Sequence, residues 1–224
     1  MAQLVLLSES NKQRYLNLIA PLGRFLARSR VDPNTLSVAG LIFSALAGVV
    51  FGLGTFFWGG CLTVLAGTCD ALDGQVAKET GKNSRFGAFL DSTLDRFGEL
   101  FIFLGLAWHF SGGKGLYEEG LGELGIFYGP WTVVLIIFAL AGSFLVSYTR
   151  ARAEGLGIAC KVGWMQRPER ITLLVIGSLL GAIPVMGPGL MVLVLLIIAV
   201  MSNATAIQRI IYVKNQLSED DSSS

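Results

Sequence analysis

This sequence is short of charge. Only 15% of its 224 residues are Asp, Glu, Lys or Arg, against 53% that are hydrophobic. The mean hydropathy is +0.62. A soluble chain of this size carries nearer a quarter charged residues. So few charges cannot cover a water-facing surface, and the chain is read as a polytopic membrane protein. Histidine occurs once, at His109 near the end of an apolar run. It reads as an interfacial polar residue and leaves little room for histidine-based catalysis. The three cysteines, Cys61, Cys69 and Cys160, make no CxxC or Cys/His spacing. Zinc is therefore not implied, and they read as free thiols that fill apolar space. With a net charge of +1 there is no basic face for nucleic acid. Residues 1–30 lack the short apolar core and small-residue cleavage site of a signal peptide. No internal repeat is visible.

What is there is a series of apolar runs. Residues 11–30 place Leu16, Ile19, Leu22 and Phe25/Leu26 at helical spacing, with Lys12, Arg14, Arg24 and Arg28 between them. This predicts an amphipathic helix on the membrane surface. Asp32-Pro33-Asn34 breaks it. Apolar segments follow at roughly 35–54, 56–77, 86–110, 128–149, 171–187 and 189–212, each near the ~20 residues that span hydrocarbon. The fifth is the shortest, and Pro184, Gly187 and Pro188 separate it from the sixth by a tight turn. The expected fold is all-α: six transmembrane helices preceded by the amphipathic surface helix. The expected organisation is a juxtamembrane helix over residues 1–32, a catalytic membrane domain over 33–214 and a disordered, acidic, serine-rich tail over 215–224. Glycines such as Gly142, Gly177 and Gly181 suit close helix–helix approach.

Six spans put both termini and the 78–86 and 150–170 loops on one side. Of the 17 Lys and Arg, only Lys114 falls on the other side, beside Glu118, Glu119 and Glu123. The basic side, with both termini, is expected to be cytoplasmic.

The stretch from Cys69 to Glu99 is the most informative. Asp70, Asp73, Gly74 and Ala77 share one helix face at i, i+3, i+4 and i+7. Gly87, Asp91 and Asp95 do the same at i, i+4 and i+8. Two antiparallel helices joined by a short loop can bring the four carboxylates together. They would repel unless cations neutralise them, and hard oxygen ligands suit Mg²⁺ or Mn²⁺. Two such ions can clamp the attacking and leaving oxygens of a phosphoryl displacement. Gly74 and Gly87 would let a substrate approach the backbone. Other readings of charge at membrane depth are solvated helix ends, a cation pathway or transporter, or a membrane prenyltransferase. Prenyltransferase aspartate motifs lie in distant helices, whereas these lie close in sequence. Glu99, one turn below Asp95, reads as the structural partner of Arg96 or Arg150.

The string Asp70-x2-Asp73-Gly74-x2-Ala77-Lys78-x8-Gly87-x3-Asp91-x3-Asp95 resembles the signature of the CDP-alcohol phosphotransferase family. One position departs: lysine stands at Lys78 where the family has arginine, keeping the charge but losing the bidentate fork. The resemblance implies that Asp70, Asp73, Asp91 and Asp95 bind two divalent metals. It implies that Asp95 is also the general base, taking the proton of an acceptor hydroxyl as it attacks the lipid-side phosphorus and CMP leaves. Gly74, Lys78 and Ser84 would contact the CDP moiety of a CDP-diacylglycerol donor, as would the Pro33-Asn34-Thr35-Leu36 turn. The family also implies a homodimer.

A second, basic cluster bears on the acceptor alcohol. Ser147, Arg150 and Arg152 end the fourth span, Arg167 and Arg170 flank Pro168, and Arg209 ends the sixth. They read either as positive-inside anchoring or as an anion pocket for a phosphorylated alcohol. The strings around Ser147–Glu154 and Arg167–Arg170 resemble the branch of the family that uses inositol phosphate. In that branch the positions matching Ser147, Arg150, Arg170 and Arg209 bind the acceptor's phosphate. Glycerol 3-phosphate and serine are the alternative acceptors.

Overall fold

The computed structural model describes residues 9–112 and 127–223. Lys114, Glu118, Glu119 and Glu123, on which part of the expected orientation rests, lie outside the described residues. The described chain is all helical: α1 (Glu9–Arg28), α2 (Pro33–Gly52), α3 (Phe56–Thr80), α4 (Arg85–Phe110), α5 (Pro130–Glu154), α6 (Arg167–Gly181) and α7 (Gly187–Ser223).

Local chemistry fixes where several helices begin and end. Asp32 caps α2 by accepting the Asn34 N–H at 2.9 Å, with Pro33 in the first turn. Ser84 caps α4 by accepting the Gly87 N–H at 2.8 Å. Gly81 ends α3 at φ 66°, where the Lys82 N–H reaches back to the Ala77 carbonyl. Only residues 81–84 separate α3 from α4, so the two form an antiparallel hairpin.

Two helix groups result. α2 packs along both α3 and α4, while α5 packs on α7 and α6 on α3 and α7. α1 lies on α3 through Ile19, the Tyr15–Thr68 hydroxyl contact at 2.7 Å and the Gln75 amide on the Ala20 carbonyl at 3.2 Å. Its Leu18, Leu22 and Phe25 remain exposed. Glycine permits the closest crossing: a Cβ on Gly105 would strike the Gly48 backbone, so α2 and α4 meet backbone to backbone. Gly142 admits Ser202 and Asn203 of α7, and Gly177 admits Met191 and Val194, as their spacing suggested.

The outside of the bundle is apolar. Val49, Ile137, Val200, Ile207 and Ile210 are all exposed, while Ser143, Ser178, Ser202, Thr205, Glu99, Arg170 and Arg209 are buried. This pattern suits lipid as the solvent. Three described helices are long and apolar enough to cross a membrane: Pro33–Gly52, Pro130–Glu154 and Gly187–Ser218. α3 and α4 carry the charged face instead. α6 is short, as expected, but its bounds are shifted: it spans 15 residues and stops at Gly181, because residues 182–186 turn through Pro184 and through Val185 at φ 68°. At ~1.5 Å per residue it is about 22 Å long. At the other end of the chain, α7 stays helical to Ser223, where composition suggested an irregular tail. The helix carries its backbone hydrogen bonding through the polar stretch, and Ser218 bonds back to the Lys214 carbonyl.

One ion pair lies wholly inside. Arg170 Nη2 on α6 donates to Glu99 Oε1 on α4 at 2.7 Å, with side chains 1% and 3% exposed. The expected partners of Glu99 are elsewhere: Arg96 turns to Asp95 and Ser147, and Arg150 to Glu154. Breaking such a pair strands a buried charge, which costs ~3–5 kcal/mol. Arg170→Ala is therefore expected to lose about that much stability in detergent unfolding. Glu99→Leu combined with Arg170→Met should recover most of it. A single variant as stable as wild type would mean the pair is not dry.

Candidate active site

The α3–α4 hairpin does what the aspartate spacing predicts. Asp70 and Asp73 on α3 face Asp91 and Asp95 on α4 across one cleft. Asp70, Asp91 and Asp95 each bring a carboxylate oxygen within 4.8 Å of the others. Asp73 lines the same cleft but stands slightly apart, 7% exposed. Its Oδ2 accepts the Ser37 hydroxyl at 2.5 Å. Ser37, Gly40, Leu41 and Ser44 supply the α2 wall. Ser37 is thus a site residue that sequence reasoning missed; its only signal was its place one turn beyond Asn34.

Two guanidinium groups enter the cluster. Arg167 Nη1 donates to Asp70 Oδ2 at 2.8 Å and Nη2 meets Asp95 Oδ1 at 2.5 Å. Arg96 touches Asp95 Oδ2 at 3.3 Å, but it is anchored on the Ser92 carbonyl at 2.8 Å and the Ser147 hydroxyl at 2.7 Å. Arg96 therefore joins the aspartate cleft to the end of α5, a link not expected from sequence. Four carboxylates against two guanidiniums leave an excess of acid. An all-oxygen donor set this close suits a hard divalent cation, so the residues present fit a metal site.

The residues expected to meet CDP lie around the same end. Pro33, Asn34, Thr35 and Leu36 open α2, and Gly74 and Lys78 are exposed on successive turns of α3. A side chain at Gly74 would meet nothing within 4 Å, which leaves its backbone open to a ligand. Gly87 differs: a Cβ there would lie 3.0 Å from Ser84 Oγ and 3.4 Å from Asn34 Oδ1. Its bareness makes room for protein, letting the starts of α2 and α4 meet. The Ser84 hydroxyl is engaged as the helix cap.

The basic cluster divides by burial. Arg150 and Arg152 are exposed at the end of α5, with Arg150 Nε on Glu154 at 2.8 Å. Ser147 accepts from Arg96. Arg170 is held by Glu99. Arg209 is 2% exposed and donates Nε to the Val162 carbonyl at 2.8 Å and Nη1 to the Val146 carbonyl. Arg167 alone of the six reaches the aspartates. At the opposite end, His109 bonds the Tyr128 hydroxyl at 3.3 Å and stacks edge-on against Phe56 and Phe110, far from this chemistry. The three cysteines are free.

Comparison with known proteins fits this geometry. A sequence model of CDP-alcohol phosphatidyltransferases matches residues 30–212. The phosphatidylinositol phosphate synthase of Streptomyces avermitilis is 36% identical over 215 residues, covering 92% of this chain and 82% of that protein. The archaetidylinositol phosphate synthase of Methanothermobacter thermautotrophicus is 36% identical over 191 residues, covering 85% and 87%. Mycobacterium tuberculosis phosphatidylinositol phosphate synthase with CDP-DAG bound is structurally similar, with a TM-score of 0.73 at 29% identity, covering 88% of this chain and 94% of that one. The same enzyme in complex with manganese and citrate gives 0.72, covering 86% and 87%. With its aspartate hairpin inside a match that runs from residue 30 to 212, the chain belongs to the CDP-alcohol phosphatidyltransferase family.

Proposed function

We propose that this membrane enzyme transfers the phosphatidyl group of CDP-diacylglycerol to inositol phosphate and releases CMP. The observation that carries the reaction is the convergence of Asp70, Asp91 and Asp95 within 4.8 Å. The acceptor reading is supported by the relatives, whose names share an inositol phosphate head and differ in the lipid. A divalent metal serves the site, and we assign two Mg²⁺ or Mn²⁺ ions to Asp70, Asp73, Asp91 and Asp95. When bound, they supply positive charge against the attacking and leaving oxygens.

The chain's own residues do the rest. Asp95 takes the proton of the acceptor hydroxyl. The hydroxyl oxygen bonds to the lipid-side phosphorus, the phosphoanhydride bond breaks, and CMP leaves with its electron pair. Arg96, anchored on the Ser92 carbonyl and Ser147, orients the Asp95 carboxylate for this. Pro33, Asn34, Thr35, Leu36, Gly74, Lys78 and Ser84 form the CDP side. Ser147, Arg150, Arg152 and Arg167 form the acceptor side, backed by the buried Arg170 and Arg209.

The same reading takes 33–214 as one catalytic domain of six spans, with 1–32 as an amphipathic juxtamembrane helix. α3, α4 and the short α6 join the three more apolar helices. The basic residues at the aspartate end support a cytoplasmic active site and cytoplasmic termini. The family resemblance supports a homodimer.

Purified protein with CDP-diacylglycerol and Mg²⁺, scored by CMP release, is expected to use inositol phosphate in preference to glycerol 3-phosphate, serine or free inositol. Preference for an unphosphorylated alcohol would remove the phosphate-pocket reading and leave the aspartate chemistry standing. Asp70→Asn and Asp91→Asn should each lose nearly all turnover, as should wild type in excess chelator; persistent activity in chelator would exclude the metal mechanism. Asp95→Asn should lower turnover by at least the ~10²–10⁴ of general-base catalysis while still binding the CDP-lipid. A near wild-type rate would take Asp95 out of the reaction.

A further inference from the structure

Arg167 and Arg170 lie three residues apart near the start of α6, and Asp95 and Glu99 lie four apart on α4. Together they make two rungs between helices. The inner rung, Arg170 to Glu99, is dry. The outer rung, Arg167 to Asp95 and Asp70, is partly open, with side chains 26%, 14% and 33% exposed. α6 is seated on α3 and α7, and the inner rung ties it to α4. The outer rung can therefore break without moving the helix.

The oxygens that Arg167 holds belong to carboxylates of the proposed metal site. Arg167 takes one oxygen of each carboxylate, and a divalent ion held by the same two carboxylates would stand beside the guanidinium. Like charges that close repel, so ion and guanidinium compete for the pair. Arg96, the other guanidinium in the cleft, is fixed by the Ser92 carbonyl and Ser147 and makes only its longest contact with Asp95. Arg167 has no such anchor. Its remaining donor, Nε, is buried without a partner.

We propose that Arg167 is an exchangeable counter-cation of the metal site: it bridges Asp70 and Asp95 until a divalent ion displaces it, and its freed donors then face the cleft, where they can meet an anionic oxygen of the substrate. This rests on the metal assignment above. It changes the role of Arg167 from a fixed pocket residue to one that competes with the metal and is released by it.

The test is Mn²⁺ binding to the full chain in detergent, without lipid substrate, by calorimetry or electron paramagnetic resonance. Arg167→Gln is expected to tighten Mn²⁺ binding about tenfold, since two charge-assisted bonds no longer compete. Arg167→Lys keeps the charge but cannot bridge both carboxylates, and should tighten it several-fold. The melting temperature of Arg167→Gln should be lower than wild type without metal and rise more on saturation with Mn²⁺. Unchanged or weaker Mn²⁺ binding in both variants, with wild type binding normally, would overturn the exchange and make Arg167 a support for the ligands. Tightening in Arg167→Gln alone would also overturn it, because general charge would then explain the effect. Failure of wild type to bind Mn²⁺ at all would instead remove the metal site, and the exchange with it.

Discussion

Asp70, Asp91 and Asp95 hold carboxylate oxygens within 4.8 Å of one another, with Asp73 alongside. Repulsion between unit charges about 4 Å apart runs from ~1 kcal/mol in water to ~4 kcal/mol near a protein surface. No soft arrangement of helices would keep them there. The hairpin does so because α3 and α4 are joined by a few residues, capped by Gly81 and Ser84, and both clamped by α2. The Gly48–Gly105 crossing locks that clamp without side chains between the backbones. Arg167 and Arg96 offset part of that repulsion, and the acid that remains in excess suits a cation.

The arginines divide their work by depth. Arg170 and Arg209 are buried: one pairs with Glu99, the other links α7 to α5 and to the 155–166 segment through the Val146 and Val162 carbonyls. Arg96 connects α4 to α5 at Ser147. Arg150 and Arg152 face outward. A positive charge count would treat these residues as one patch, but burial and partners give them different duties.

The convergence of the aspartates was legible in the sequence because their spacing is periodic and local. Aspartates at i, i+3 and i+4 leave few alternatives once the segment is helical, and Asp32, Pro33 and Ser84 mark helix starts directly. What was not legible depends on contacts distant in sequence. The partner of Glu99 is 71 residues away, and the Ser37 bond to Asp73 spans 36. Nothing in hydropathy distinguishes Arg170 from Arg150, although one is dry and the other exposed. The fifth span could be read as the shortest, with a turn at Pro184, but not its bounds: the helix starts at Arg167 and stops at Gly181, while the apolar run begins later and continues into the turn. Gly87 was identified as an open position, but its neighbours are the Ser84 cap and Asn34 of α2.

The aromatic residues Trp58 and Trp108 are exposed on α3 and α4 at the end away from the aspartates, at the level where such rings mark a membrane interface. From Trp58 to Asp70 is about 18 Å along α3, and from Trp108 to Asp95 about 20 Å along α4, at ~1.5 Å per residue. With hydrocarbon ~30 Å thick, the proposed six-span reading puts the carboxylates roughly 10 Å inside the near boundary. A lipid diphosphate can then reach them by sinking between helices while its acyl chains stay among their neighbours. Lifting those chains into water would cost ~0.8 kcal/mol for every methylene. On that reading the depth of the hairpin spares a lipid substrate that extraction, and the acceptor and nucleotide travel to the lipid.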